Sequence, residues 1–307
     1  MPSIGPHLFS TDQLDREILT SLFGQASQFK QSWKVEEAPS LREKVVFLVF
    51  LEPSTRTRMS FEIACHRLNA KPSVFSNSKN TSLVKGESIL DTLKVLEAMG
   101  PDLIVLRSSQ TESVKSHILQ ANCRYINAGS GSDEHPTQAL LDAFTMNEKL
   151  GTLSGKNILF LGDVRHSRVA NSNIILLEKL GANIGFCSPS FFRPEGDKRW
   201  MKAESFEKLQ PALEWADVCI ALRVQKERHS EKTDQNISEF VTYYQLNRET
   251  IKWLGPESYI MHPGPFVPNE EITYDVVNDS RSLILNQVEN GVFVRAALLK
   301  MMLGEGG

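Results

Sequence analysis

The sequence predicts an α/β protein of two domains, each a mainly parallel sheet flanked by helices. Three observations carry this. Short apolar runs alternate with stretches of helical periodicity along most of the chain, the pattern of parallel strands with helices on both faces. The eight runs fall into two groups of four. A length of 307 residues suits about two domains of roughly 150 residues.

The elements follow in order. Ser10 and Gln13 have the spacing of a capping box, and Leu14, Ile18, Leu22 and Ala26 share one face of the helix expected behind it. The unbroken apolar run 45–51 reads as a strand buried on both faces. Phe61, Ala64, Cys65 and Leu68 mark the next helix. Further strands are expected at 73–75, 102–107, 125–128, 157–161, 182–187, 217–222 and 259–261. Helical patterns cover 89–99, 137–150, 171–180 and 287–303. The helix 137–150 and the turn 151–155 separate the two strand groups. The expected domains are therefore 1–135, with 288–307 returning to it, and 136–287. Val292, Leu298, Leu299 and Met302 give the last helix too much apolar surface to stand alone, so it should pack back on the first domain.

Composition excludes several functions. Lys plus Arg number 34 against 37 Asp plus Glu, a net charge of −3. A nucleic-acid binder normally shows a basic excess or stripe. The run 45–51 is far below the about 20 residues of a membrane span. The first residues lack the basic start and apolar stretch of a signal peptide, so a cytoplasmic protein is expected. Cys65, Cys123, Cys187 and Cys219 are scattered singly in apolar contexts, as buried free thiols are. No metal or cofactor is expected. There is no P-loop, no complete dinucleotide glycine fingerprint, no H-E-x-x-H and no nucleophile elbow.

In open parallel sheets, ligands bind beyond the carboxyl ends of strands, where helix N-termini favour anions. After 45–51 come Glu52, Pro53, Ser54, Thr55, Arg56, Thr57 and Arg58, a dense set of phosphate donors at a strand-to-helix turn. A solvated capping segment is the bland alternative. Arg107 ends the third strand. The fourth leads through Gly129–Gly131 to His135, Pro136, Thr137 and Gln138, with Pro136 suited to the first helical position. The strand 157–161 leads to Gly162 and on to Arg168, and 217–222 leads to Arg223 and Gln225. Any one arginine is more often a surface residue; four at equivalent strand ends describe a cleft for two anionic groups. Guanidinium forks match carboxylate and phosphate in bidentate geometry.

The segment from Phe50 to Arg58, with Ser60, Phe61 and Glu62 behind it, resembles the carbamoyl-phosphate signature of the carbamoyltransferases. His135-Pro136-Thr137-Gln138 is similar to that family's second motif, in matching order and distance. The likeness runs along essentially the whole chain. Arg223 to Arg228 and His262-Pro263-Gly264-Pro265 resemble the aspartate branch; the His-Cys-Leu-Pro and Ser-Met-Gly elements of the ornithine branch are missing. Arginines suit the two carboxylates of aspartate and repel a cationic side chain.

The resemblance implies roles for individual residues. Ser54, Thr55, Arg56 and Thr57 hold the phosphate of carbamoyl phosphate with help from Arg107. Thr57, Arg107 and His135 surround the carbonyl oxygen. Gln138 and the backbone at Gly264 and Pro265 bind the carbamoyl NH₂. Arg168, Arg223 and Gln225 hold aspartate. Ser82 and Lys85 match a loop inserted into a neighbouring subunit's site; by itself Lys85 reads as a solvated loop lysine. A homotrimer with shared sites follows; whether separate regulatory chains or a dihydroorotase-like partner attach to it is left open by the sequence. His135, among cations at a helix start, is expected to be a neutral hydrogen-bond donor. One departure stands out: Phe266-Val267-Pro268-Asn269 lies where family members commonly carry an arginine. An ornithine-type acceptor and a non-catalytic anion-binding relative are the alternatives.

Overall fold

The computed structural model describes residues 2–32, 41–76, 86–131, 133–224 and 233–304. Ser82, Lys85 and Gln225 lie outside them. The chain divides into two compact units, Met1–Leu141 with Val288–Gly307, and Asp142–Gln287.

The first unit runs β1 (His7–Leu8), α1 (Arg16–Ser32), β2 (Val45–Phe50), α2 (Thr55–Arg67), β3 (Lys71–Ser76), α3 (Ile89–Ala98), β4 (Leu103–Ser108), α4 (Thr111–Ile118), β5 (Arg124–Ser130) and the start of α5 (Pro136–Leu150), a helix that continues into the second unit. Its strands pair in parallel in the order β1-β5-β4-β2-β3. The chain steps from β2 to β3 on one side, then returns to place β4 on the other side of β2. That reversal is a topological switch point, where neighbouring strand-end loops diverge and leave a crevice. As the apolar run predicts, β2 buries Val46, Leu48, Val49 and Phe50. One face of the sheet packs Val49, Ile104 and Leu106 against Leu93 and Leu96 of α3 and Val114 and Ile118 of α4.

The second unit runs β6 (Asn157–Leu161), α6 (Arg168–Lys179), β7 (Asn183–Cys187), β8 (Glu204–Phe206), α7 (Leu209–Trp215), β9 (Val218–Ala221), α8 (Thr233–Tyr244), β10 (Tyr259–Met261) and α9 (Tyr274–Val277). Again all strands are parallel, in the order β10-β9-β6-β7-β8. The reversal here falls between β6 and β9. Leu159, Leu161, Cys219, Ala221 and Ile260 form the strand side of its core.

The last helix, α10 (Ile284–Leu303), packs on the first unit, as its apolar surface predicts. Lys30 of α1 donates to Asn290 Oδ1 at 2.8 Å, Lys300 lies 5.6 Å from the Phe29 ring centroid, and Arg295 lies 5.3 Å from that of Phe61.

Several details go beyond the sequence reading, which named no helix at α4, α7, α8 or α9. The Ser10–Gln13 capping box is formed, but on a three-residue 3₁₀ turn, Thr11–Gln13. Asp15 caps α1 instead, its carboxylate accepting Ile18 N–H at 2.8 Å. The strands β1 and β8 were not expected; at two and three residues they are too short to show a period. All four cysteines are free and buried, and burial pushes the thiols of Cys65 and Cys187 up to about 12. No described helix is long and apolar enough to cross a membrane.

Candidate active site

In the first unit, the strand ends singled out by sequence are neighbours across the switch point. Phe50 of β2 pairs with Arg107 of β4, and Leu51 N–H donates to the Arg107 carbonyl at 2.9 Å. The loop after β2 therefore starts beside Arg107. Ser54 is the N-cap of α2 but spends no side-chain hydrogen bond on it, which leaves the hydroxyl available to a ligand. Thr55 and Arg56 are exposed and Thr57 is buried. Arginines at the second and fourth positions of a helix oppose its dipole, which favours anions at that end. The first turn of α2 holds Arg56 and Arg58 and no acidic residue. Such placement is unfavourable alone and favourable with a phosphate present. Arg56 is solvent-accessible, yet the protein around it lowers its pKa from the ordinary arginine value by desolvation; the group stays charged at neutral pH.

Arg107 sits where the β4–β5 register slips. Leu106 faces Asn127, whereas Ser108 faces Ser130, so β5 carries one extra residue. Bulges of this kind re-aim side chains beside functional sites. Gly129, at φ 119°, supplies the conformation. Asn127 Oδ1 accepts Gly129 N–H at 2.8 Å. Arg107 Nη1 donates to the Ala128 carbonyl at 3.1 Å and stands 3.4 Å from His135 Nε2. Its Nε lies 3.7 Å from Glu52. Arginine has only donors, so the His135 contact uses the Nε2 lone pair and places the ring proton on Nδ1, which lies 3.5 Å from Thr137 Oγ1. His135 is 4% exposed, and an imidazolium facing Arg107 there would be repelled.

His135 caps α5 through its backbone. Its carbonyl accepts Gln138 N–H at 2.9 Å and Ala139 N–H at 3.2 Å, with Pro136 first in the helix. Gln138 is buried. The loop ahead of His135 is held by the N-terminal segment: Glu134 Oε2 accepts Thr11 N–H at 2.9 Å and Thr11 Oγ1 at 3.1 Å. Asn127 Nδ2 donates to the Phe9 carbonyl at 2.9 Å. A pocket of about 460 Å³ opens beside these strand ends, lined by Leu51, Ser88, Ser108, Ser109 and Gln110 among others; Arg56, Arg107 and His135 are not in its wall.

The second unit repeats the arrangement. Gly162, at φ +116°, follows β6 so closely against β9 that a Cβ there would lie 2.9 Å from the Leu222 carbonyl. The next residue after Leu222 is Arg223. Ser167 caps α6 by accepting Ala170 N–H at 3.1 Å, which makes Arg168 the first helical residue, again against the dipole. Arg168 and Arg223 are both half-buried. Asp163, fully buried, holds this turn with a 2.8 Å contact to His166 Nδ1. Gly264 and Pro265 follow β10 in a loop joined by a cis peptide bond.

Sequence reasoning missed the supporting residues: Glu52, Thr11 with Glu134, and a buried pair, His262 and Glu271, whose Nε2 and Oε1 are 3.2 Å apart. Glu52 and His262 lay inside the quoted motifs, without a supporting role assigned to them. The others join residues far apart or without periodic pattern. Among the described residues, no group of three His, Cys, Asp or Glu is placed to hold a metal ion.

Residues 6–148 match the model of the aspartate/ornithine carbamoyltransferase carbamoyl-P binding domain, and residues 154–302 that of the Asp/Orn binding domain. The chain belongs to the aspartate/ornithine carbamoyltransferase family. Among carbamoyltransferases it is 42% identical to the aspartate carbamoyltransferase catalytic subunit of Opitutus terrae, over 99% of this chain and 97% of that one. It also resembles the aspartate transcarbamoylase of Trypanosoma cruzi solved with carbamoyl aspartate and phosphate, at 26% identity and TM-score 0.87, covering 97% and 98% of the two chains. The ornithine carbamoyltransferase of Pyrococcus furiosus is as similar in fold, at 28% identity and TM-score 0.87 over 99% of each chain. The protein is thus a carbamoyltransferase acting on an amino acid.

Proposed function

We propose that the chain transfers the carbamoyl group of carbamoyl phosphate to the α-amine of L-aspartate, giving N-carbamoyl-L-aspartate and phosphate, a step of pyrimidine biosynthesis. The observation that carries the choice of acceptor is the second switch point, where Arg168 opens α6 and Arg223 follows β9. Two half-buried guanidiniums suit a dicarboxylate and oppose the cationic side chain of ornithine.

Under this reading Ser54, Thr55, Arg56 and Thr57 receive the phosphate at the start of α2, with Arg107. The amine of aspartate attacks the carbonyl carbon, negative charge grows on the carbonyl oxygen, the C–O bond to phosphate breaks, and the departing phosphate accepts the amine proton. Thr57, Arg107 and His135 stabilise the oxygen, each preset donor being worth about 10²–10³ in rate. Nε2 of His135 accepts from Arg107 in the geometry above. Its donation to the substrate oxygen therefore uses the other neutral tautomer, with Arg107 turned from the ring to the same oxygen. Gln138 and the Gly264 and Pro265 carbonyls take the carbamoyl NH₂, and Gln225 joins the two arginines on aspartate.

A coupled phosphate-release assay tests the acceptor. Turnover with aspartate and none with ornithine is expected; the reverse would transfer the chain to the ornithine branch. Phosphate binding with no turnover on either would indicate an anion-binding relative. The homotrimer with Ser82 and Lys85 completing a neighbour's site is part of the proposal. Mixed Lys85→Ala and Arg56→Ala chains should regain activity in hybrid trimers, and silent hybrids would count against shared sites.

A further inference from the structure

A buried network holds the loop that follows β10. His262 and Glu271 have no exposed side-chain surface. Gly264 N–H donates to His262 Nδ1 at 2.8 Å, so the imidazole carries its proton on Nε2 and gives it to Glu271 Oε1 at 3.2 Å. The same Oε1 accepts Val267 N–H at 2.7 Å. The loop is thus tied on both sides of its Gly264 and Pro265 carbonyls. The imidazole is fixed in turn: its backbone N–H donates to Gln287 Oε1 at 2.9 Å, and Gln287 Nε2 donates to Asp142 Oδ1 at 2.7 Å. Asn173 Nδ2 holds the other Asp142 oxygen at 2.9 Å. Phe266, first of the segment 266–269 that lacks the arginine expected from the family resemblance, sets its ring edge-on to His262 at 6.0 Å.

This arrangement costs stability. A carboxylate at zero exposure loses its hydration, and Glu271 Oε2 has no hydrogen-bond partner among the described residues. Apolar packing of similar volume would hold a loop at least as firmly. What packing lacks is direction: N–H bonds at positions 264 and 267 set the orientation of the peptide planes between them. We propose that His262 and Glu271 are positioning residues, holding the Gly264 and Pro265 carbonyls aimed to accept the carbamoyl NH₂. This rests on the role given above to those carbonyls.

Inorganic phosphate separates positioning from general damage, because it shares the phosphate contacts of carbamoyl phosphate and lacks the NH₂. Glu271→Ala should lower kcat/KM for carbamoyl phosphate about 10²-fold, as a displaced contact does. Its inhibition constant for phosphate should stay within about twofold of wild type, below what loss of one hydrogen bond produces. Glu271→Gln keeps an acceptor at Oε1 and should recover most of the activity. His262→Gln keeps a donor for Glu271 but loses the Gly264 tie, and should behave like Glu271→Ala. It serves as the second variant if Glu271→Ala does not fold. Unchanged kcat/KM in either folded variant overturns the proposal, as does a parallel weakening of phosphate and carbamoyl phosphate. Calorimetric binding of carbamoyl phosphate and of phosphate, without an acceptor, gives the same discrimination if aspartate proves not to be the substrate.

Discussion

Two His-Pro pairs, His135-Pro136 after β5 and His262-Pro263 after β10, occupy corresponding strand ends of the two units and are set to opposite chemistry. His135 faces a cation: Arg107 Nη1 at 3.4 Å claims its Nε2 lone pair. His262 faces an anion: Glu271 Oε1 at 3.2 Å takes its Nε2 proton, while Gly264 N–H occupies Nδ1. Their hydrogen-bond partners assign opposite tautomers to the two rings. One ring is assigned, in the proposed reaction, to the carbonyl oxygen. The other is spent wholly on holding a loop. The dipeptide does not determine the task; the residue across from it does.

The largest effect should come from removing the cation. Arg107→Ala takes a donor from the reacting oxygen and should lower kcat/KM by about 10²–10³-fold in steady-state assays. In the same variant, ring nitrogen-15 NMR should show the His135 proton shared between Nδ1 and Nε2, while His262 keeps Nε2–H. An unchanged His135 pattern would show that Arg107 does not set its tautomer.

Next in size is the support of each loop. Gly162→Ala should cost about 1–3 kcal/mol through its left-handed backbone and its approach to the Leu222 carbonyl. It should raise KM for aspartate more than KM for carbamoyl phosphate, because Arg223 is the next residue. On the His135 side, Thr11→Val removes one of the two bonds to Glu134. It should lower stability by about 1 kcal/mol, read as a shift in urea midpoint, with a modest fall in kcat.

The smallest effect belongs to a third buried histidine. His7, on the edge strand β1, packs against the rings of Phe9 and Tyr125 at 5.9 Å each. Burial first, then Arg124, lowers its pKa from 6.5, with Glu97 opposing. The unfolded chain therefore takes up a proton first as pH falls. His7 leaves stability untouched above pH 7 and diminishes it below about 6.5, until the folded state is protonated too, by at most about 1.4 kcal/mol per pH unit. Tm measured from about pH 8 to 5 should decline less in His7→Phe; identical profiles would mean that His7 does not titrate on unfolding.

Most of the fold was legible because buried parallel strands are apolar runs and α2, α3, α5, α6 and α10 carry a helical period or a start signal. The edge strands β1 and β8 escaped because two or three residues hold no period. The candidate site was legible where the chemistry is local, as in the Ser54–Arg58 turn and the His135–Gln138 helix start. It was illegible where distant segments meet. Nothing in the sequence joins Thr11 to Glu134, or His262 to Glu271 nine residues on, since a buried polar pair leaves no spacing rule behind it.

By itself, the sequence determined two α/β units, arginines at four strand ends, and helix starts suited to anions, because these depend on local periodicity and residue type. Only the tertiary structure decided which strand ends are neighbours. The order β3-β2-β4 makes the loops of Glu52 and Arg107 adjacent, and β7-β6-β9 does the same for Gly162 and Arg223. Strand order is set by long-range pairing, and the partner and tautomer of each buried histidine come from packing. Neither is written in any window of the chain.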